Sequence, residues 1–341
     1  MNTRINEKFN YNYSIMRIIC ACAVILIHTC TCLTDNYKDY VISDYQYNVL
    51  NKLSYFGRFA VPCFFMLTGY LLMKKNITYS YKIVFKKYII PVVLVLFIFG
   101  TVFSMMELVL KDGISLNIIS NAIKNVIENK SWAHLWYLYS LIGVYLIVPL
   151  IQGIFNDIKD AFITIVIIFV CAYIYPIFSL FNVDIAFNIP INSFPLIYFI
   201  LGGVISRIDL KKYKNVLNIV SVLTILCTWM LILFSNNYSW FNYNDGIATL
   251  FYAISIFMIF TVNEISIKDN KKILYKLDRL CYGVYIIHPF FINIFYKVLK
   301  LIPINYSNIY LAVFIFYILF ICCSFFAAFL MKKVWLIKKL I

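Results

Sequence analysis

The sequence predicts an all-α polytopic membrane protein, a bundle of about ten transmembrane helices with both termini in the cytoplasm. Three observations carry this expectation. The chain is 63% hydrophobic and 13% charged, with mean hydropathy +0.85, whereas soluble globular chains are near half apolar and about a quarter charged. Apolar runs of about 20 residues, the length that crosses a ~30 Å hydrocarbon core, recur from end to end. The cations, finally, are concentrated in alternate connections. A soluble enzyme is excluded, and ten spans leave too little of the 341 residues for an appended soluble domain. Chemistry must sit within the bundle or at its rims.

In chain order the expected spans are 16–34, 55–73, 88–110, 134–151, 161–181, 192–206, 215–234, 246–262, 279–298 and 308–331. Residues 1–15 form an N-terminal cytoplasmic segment, 16–331 the transmembrane domain and 332–341 a basic cytoplasmic tail. The first run begins at Arg17 and reaches Asp35 without a small-x-small processing site, so it stays as a span rather than a cleaved signal. Trp132, Trp136, Trp240 and Trp335 fall at expected span ends, where amphipathic aromatics favour the headgroup level. Pro62, Pro91, Pro149, Pro195 and Pro289 predict kinks, and Gly69, Gly202 and Gly203 predict close helix approaches.

Net charge is +15, and position explains it. With the N-terminus inside, 21 of the 30 Lys and Arg residues fall in cytoplasmic connections and seven in outer ones, with Arg17 and Arg58 inside spans. That asymmetry is the positive-inside signature of a bilayer protein and needs no nucleic acid as partner. The loops near 35–54, 111–133, 182–191, 235–245 and 299–307 are then expected outside.

All ten cysteines lie within expected spans, not in outer loops where a disulfide framework belongs. The two Cys-x-Cys repeats of the first span point about 200° apart on a helix and cannot share one ion. No metal is expected.

The informative residues are polar groups that hydrocarbon should exclude, each costing on the order of 2.5–3.5 kcal/mol to insert. There are three histidines, His28, His134 and His288. Arg17 and His28 are eleven positions apart, about 20° from full helical register and about 16 Å along the axis. One stripe thus carries a permanent cation near the cytoplasmic rim and a titratable imidazole in the outer half. Phosphate binding and base chemistry would use such a pair. A snorkelling arginine beside a hydrogen-bonded core histidine would also satisfy it.

Met16-Arg17-Ile18 through His28 resembles the opening Arg-x10-His helix of the acyltransferase family 3 integral-membrane proteins. The segment from Gly57-Arg58-Phe59 through Val61-Pro62-Cys63-Phe64-Phe65 to Gly69-Tyr70 is similar to that family's R-x-x-V-P-x-F-F-x-x-S-G-Y-L pattern. His134-Leu135-Trp136-Tyr137-Leu138, Tyr198-Phe199-Ile200-Leu201-Gly202 and Tyr282-Gly283-Val284-Tyr285-Ile286-Ile287-His288-Pro289 follow in the family's order. Each motif alone is weak; five in order, over nearly the whole chain, are specific.

The resemblance implies a ten-helix O-acyltransferase of a bacterial cytoplasmic membrane. It would move an acyl group, commonly acetyl, from cytoplasmic acyl-CoA to a hydroxyl of an envelope glycan or lipid-linked saccharide. By position His28 matches the family's catalytic histidine and Arg17 its paired arginine. Many members carry Arg-x-x-Arg near the third span, where this chain has Lys82, Lys86 and Lys87 before Pro91. Phosphate there would meet point charges rather than a planar fork.

Acyl transfer to an alcohol needs a base and donors for the developing oxyanion. His28 is the expected base and direct transfer the expected route. Arg58 either stabilises negative charge or anchors the interface. His134 either meets acceptor or oxyanion or starts a helix in the aromatic belt. His288, near the midplane, either packs or lines the donor path, and Lys86 and Lys87 join Arg17 on the donor side. Glu107, near the outer end of the third span, either orients a histidine or is an exposed rim acid. The competing class is a transporter of glycan intermediates, which would also use midplane polar groups; the Arg17–His28 register and the lack of two similar halves favour the enzyme.

Overall fold

The computed structural model describes residues 11–35, 40–74, 78–170, 193–234, 246–265, 271–338 and 340. The expected loops 182–191 and 235–245 with Trp240, the 171–181 end of the fifth expected span with Cys171, and residues 1–10 lie outside the described residues. The described elements are helical throughout. They are α1 (Tyr11–Thr34), α2 (Asp44–Tyr55), α3 (Ala60–Leu72), α4 (Tyr81–Val84), a π-helical turn (Phe85–Ile89), α5 (Ile90–Asp112), α6 (Ile118–Ile127), α7 (Trp136–Ile151), α8 (Ile158–Phe169), α9 (Phe194–Ile205), α10 (Lys214–Phe234), α11 (Ile247–Val262), α12 (Lys271–Asn293), α13 (Ile309–Met331) and α14 (Trp335–Lys338).

Among the described residues six helical stretches are long and apolar enough to cross a membrane: Tyr11–Thr34, Asp44–Leu72, Tyr81–Asp112, Ala133–Ile151, Lys211–Phe234 and Ile309–Met331. Of the remaining expected spans, α9 and α11 are apolar but shorter, and α12 opens on Lys271, Lys272, Lys276, Asp278 and Arg279. Two helices stand where outer loops were expected. A capping box starts α2, with the Ser43 hydroxyl accepting from the Gln46 amide and the Gln46 side chain accepting from the Ser43 amide. The amphipathic α6 packs along α5, burying Ala122 and Val126 and leaving Ile119, Ile123 and Ile127 exposed. Both are short or polar on one face, so a search for continuous apolar runs passes over them.

The prolines divide by position. Pro195 occupies the first turn of α9, where the missing N–H has no partner to lose; Pro91 follows directly on the π-helical turn, inside the continuous stretch Tyr81–Asp112. Pro149 and Pro289 lie inside α7 and α12 and do remove a helical hydrogen bond.

The chain forms two compact units, residues 1–68 with 208–328, and residues 69–207 with 329–341. In the first, α1 packs on α2, α11 and α12, and α10 on α11. Its core runs through Ile25, Cys30, Leu33, Leu50, Val284, Ile292, Tyr296, Val313 and Phe320. Asn12 ties α1 to the end of α11: its amide nitrogen donates to the carbonyls of Phe260, at 3.0 Å, and Asn263, and its oxygen accepts from the Ile265 amide at 2.9 Å. Asn263 and Asn218 exchange reciprocal amide bonds of 2.7 and 3.0 Å between α11 and α10. Backbone groups freed at helix ends are thereby satisfied by side chains instead of water.

In the second unit, α5 packs on α6 and α7, and α9 on α7 and α8. Gly69 lets the end of α3 touch α9, since a Cβ there would collide with the Phe199 carbonyl. Arg207, just past α9, donates to the carbonyls of Met73, at 2.7 Å, and Phe155, and its guanidinium lies 5.2 Å from the centre of the Phe155 ring.

Candidate active site

In the first unit α1 is unbroken from Tyr11 to Thr34, so the eleven-residue register between Arg17 and His28 holds. Both meet α12, which runs parallel to α1. At one end, Arg17 clamps Asp278 with Nε on one carboxylate oxygen at 2.6 Å and Nη2 on the other at 2.7 Å. The Ser14 hydroxyl adds a third bond to Asp278 at 3.0 Å. Two parallel N–H···O bonds are the strong geometry for a guanidinium and a carboxylate. Asp278 is 8% exposed and Arg17 30%, so the fork holds a buried acid while one side of the cation stays accessible.

Further along the same two helices the rings of His28 and His288 approach to 5.1 Å between centroids, tilted by 43°. His288 is fully buried, whereas His28 is partly exposed. The third member is Arg58, in the tight turn between α2 and α3. That turn sits against α1 because residue 57 is glycine: a Cβ there would lie 2.7 Å from the Ala23 carbonyl oxygen and 2.9 Å from Ile27. From the other side, the Tyr252 hydroxyl of α11 donates to the Phe56 carbonyl at 3.2 Å and accepts from the Trp229 indole of α10 at 3.0 Å. Tyr252 also packs edge-on against Phe59 at 5.3 Å. Pinned on both sides, the turn buries Arg58 within electrostatic reach of His28 and Cys30, with its guanidinium 5.7 Å from the Tyr55 ring centre.

The remaining expected residues belong to the second unit. His134 is buried in a 3-10 turn, Ala133–Leu135, at the head of α7. Its ring lies 5.8 Å from Phe103 and 6.3 Å from Trp132, which stack flat on one another at 4.3 Å. Lys86 and Lys87 are exposed in the π-helical turn that opens α5. Lys87 projects over Tyr88 at 5.1 Å, and Tyr88 packs between Tyr79 and Tyr145 at 5.8 and 5.4 Å. Sixteen residues separate Lys87 from Phe103, so along α5 the lysines and His134 stand about 24 Å apart.

Arg17, His28, Arg58 and His288 thus share one unit, while His134 and the lysine pair occupy two ends of the other. Asp278 escaped the sequence reading because it was assigned to a cytoplasmic connection. The usable signal was its distance of ten residues from His288 on one amphipathic helix. Glu107 pairs with Lys111 one turn away, at 3.4 Å. Among the described residues no three His, Cys, Asp or Glu side chains come together as metal ligands, and the nine described cysteines form no disulfide with one another. A partly exposed imidazole within electrostatic reach of a buried guanidinium has the chemistry to take a proton from a hydroxyl while the cation favours developing negative charge.

Helices of this length and apolarity have the bilayer as their solvent, and the chain is a multi-pass membrane protein. More particularly, the family model described as an acyltransferase domain, that of acyltransferase family 3, matches residues 10–332, and the chain belongs to that family. No curated protein and no solved structure matches the chain.

Proposed function

We infer that the protein is an acyl-CoA-dependent O-acyltransferase of a bacterial cytoplasmic membrane. It transfers an acyl group, acetyl foremost, from the cytoplasmic thioester to a hydroxyl of an envelope glycan or lipid-linked saccharide. The observation that carries this reading is the partly exposed His28 imidazole in ring contact with buried His288 and within electrostatic reach of the buried Arg58 guanidinium, in a chain of an acyltransferase family.

In the proposed step His28 removes the acceptor hydroxyl proton as the oxygen attacks the thioester carbonyl. The new C–O bond forms, negative charge collects on the former carbonyl oxygen, and Arg58 stabilises it. Collapse breaks the C–S bond, and the proton on His28 passes to the departing CoA sulfur. No covalent enzyme intermediate is required, and none of the cysteines adjoins a base in sequence. Arg17, Lys86 and Lys87 are assigned to the donor's phosphates, and His134 to the acceptor or the oxyanion.

The test is transfer of labelled acetyl from acetyl-CoA by the purified protein in lipid nanodiscs, with envelope glycan and lipid-linked saccharide fractions as acceptors. His28→Ala is expected to lower transfer by at least about 100-fold with normal abundance in the membrane. Substantial turnover by folded His28→Ala protein would remove His28 as the base. Acceptor export without acylation would put the transporter class in place of the enzyme.

A further inference from the structure

An imidazole buried among apolar helices is costly unless its nitrogens are used, and the surroundings of His288 specify how. Pro289 has no N–H, so the Tyr285 carbonyl, four residues before it, loses its helical donor. The Nδ1 of His288 fills that vacancy at 2.8 Å, with the Val284 carbonyl at 3.2 Å. A carbonyl only accepts, so Nδ1 must carry the hydrogen, and in the neutral ring Nε2 is then the acceptor. The His288-Pro289 pair therefore fixes one tautomer by backbone geometry alone. The ring so fixed lies against His28, at a centroid separation of 5.1 Å. At that spacing a modest rotation of the His28 ring brings its N–H to His288 Nε2, a hydrogen bond that the resting geometry does not yet make.

We propose that His288 is the positioning residue for His28: its Nε2 accepts the N–H of His28, sets that ring's tautomer and orientation, and leaves the opposite nitrogen of His28 as the base. This rests on His28 being the base of acyl transfer. It moves His288 from the donor path to the chemical step. Around the pair stand Arg58 from the α2–α3 turn, Tyr285 with its ring 6.3 Å from His288, and Tyr282 stacked on Tyr285 at 6.5 Å. Tyr296 approaches from beyond α12, its hydroxyl on the Thr29 carbonyl at 3.0 Å. The Arg17–Asp278 fork closes the same interface about 16 Å away.

The experiment reads His28 directly. Purified wild type, His288→Leu, His288→Gln and Pro289→Ala are treated with diethylpyrocarbonate across a pH series, without donor or acceptor, and carbethoxylation of the His28 peptide is followed by mass spectrometry. In parallel, kcat and the KM for acetyl-CoA are measured. His288→Leu is expected to move the pH midpoint of His28 modification and to lower kcat by roughly 100-fold, the scale of a misplaced reacting group, with KM nearly unchanged. His288→Gln, whose amide oxygen can reach the Nε2 position, restores most of both. Pro289→Ala returns an N–H to Tyr285, competes with Nδ1, and shifts both readouts in the direction of His288→Leu while keeping the imidazole. An unmoved midpoint in folded His288→Leu and Pro289→Ala overturns the proposal, as does a raised KM with kcat intact. If the wild type transfers no acyl group, the enzymatic reading fails by itself, and the modification profile still decides whether the two imidazoles act as a pair.

Discussion

Arg17 carries two demands at once. Its Nε and one Nη2 hydrogen are committed to Asp278, so the carboxylate aims the guanidinium, and the donor phosphate proposed for Arg17 would take the other edge. Asp278→Ala would leave that cation without its counter-charge inside the helix interface and is expected to cost on the order of 3 kcal/mol, read as a lower unfolding temperature in detergent. Arg17→Ala is expected to raise the KM for acyl-CoA far more than Arg17→Lys, since an ammonium keeps the charge and loses the fork; equal KM values in wild type and Arg17→Ala would take Arg17 off the donor site. Arg17 and His28 are legible in the sequence because one helix and its 100° step relate them. Asp278 is 261 residues from its partner, and no local pattern encodes which distant side chain a helix will meet. His288 was visible as a polar group in an apolar run, but its use of the carbonyl freed by Pro289 depends on backbone geometry.

The turn between α2 and α3 works as a wedge whose thickness is set by Gly57. An alanine there needs room beside the Ala23 backbone, which a helix cannot yield cheaply. Gly57→Ala is expected to cost about 1–3 kcal/mol and to lower acyl transfer by displacing Arg58, although Arg58 itself is untouched. An unfolding temperature and turnover equal to wild type would show that the turn does not set the position of Arg58. The sequence placed a span from residue 55 and a loop before it, because hydropathy answers to runs of about 20 residues. The helix that precedes the turn was announced by Ser43-x-x-Gln46, a local hydrogen-bonding signal independent of hydropathy. In α12 the reverse held: its charged opening hid eight residues of helix, Asp278 among them, behind the look of a loop.

At the scale of the whole molecule, the bilayer class is written in composition and survives any error in individual boundaries. The charge asymmetry makes a further expectation, that Lys212 faces the cytosol and Asn244 the exterior. With single cysteines in a cysteine-free background, a membrane-impermeant thiol reagent on intact cells should label Asn244→Cys and not Lys212→Cys; the reverse pattern overturns the orientation. The pairing of α1 with α12 has a consequence for biosynthesis. In the order of synthesis α1 carries an arginine whose partner is translated 261 residues later, and a histidine whose partner lies on the same distant helix. Until then Arg17 waits in the membrane without Asp278, held by headgroups or by the insertion machinery. Maturation should therefore be a late event, completed only when residues 271–293 are inserted. Chains stopped at residue 265 are expected to be cleared by membrane proteolysis much faster than the full-length protein, and chains stopped after residue 331 are expected to persist; pulse-chase lifetimes of the two would measure how much of the protein's survival hangs on that last docking step.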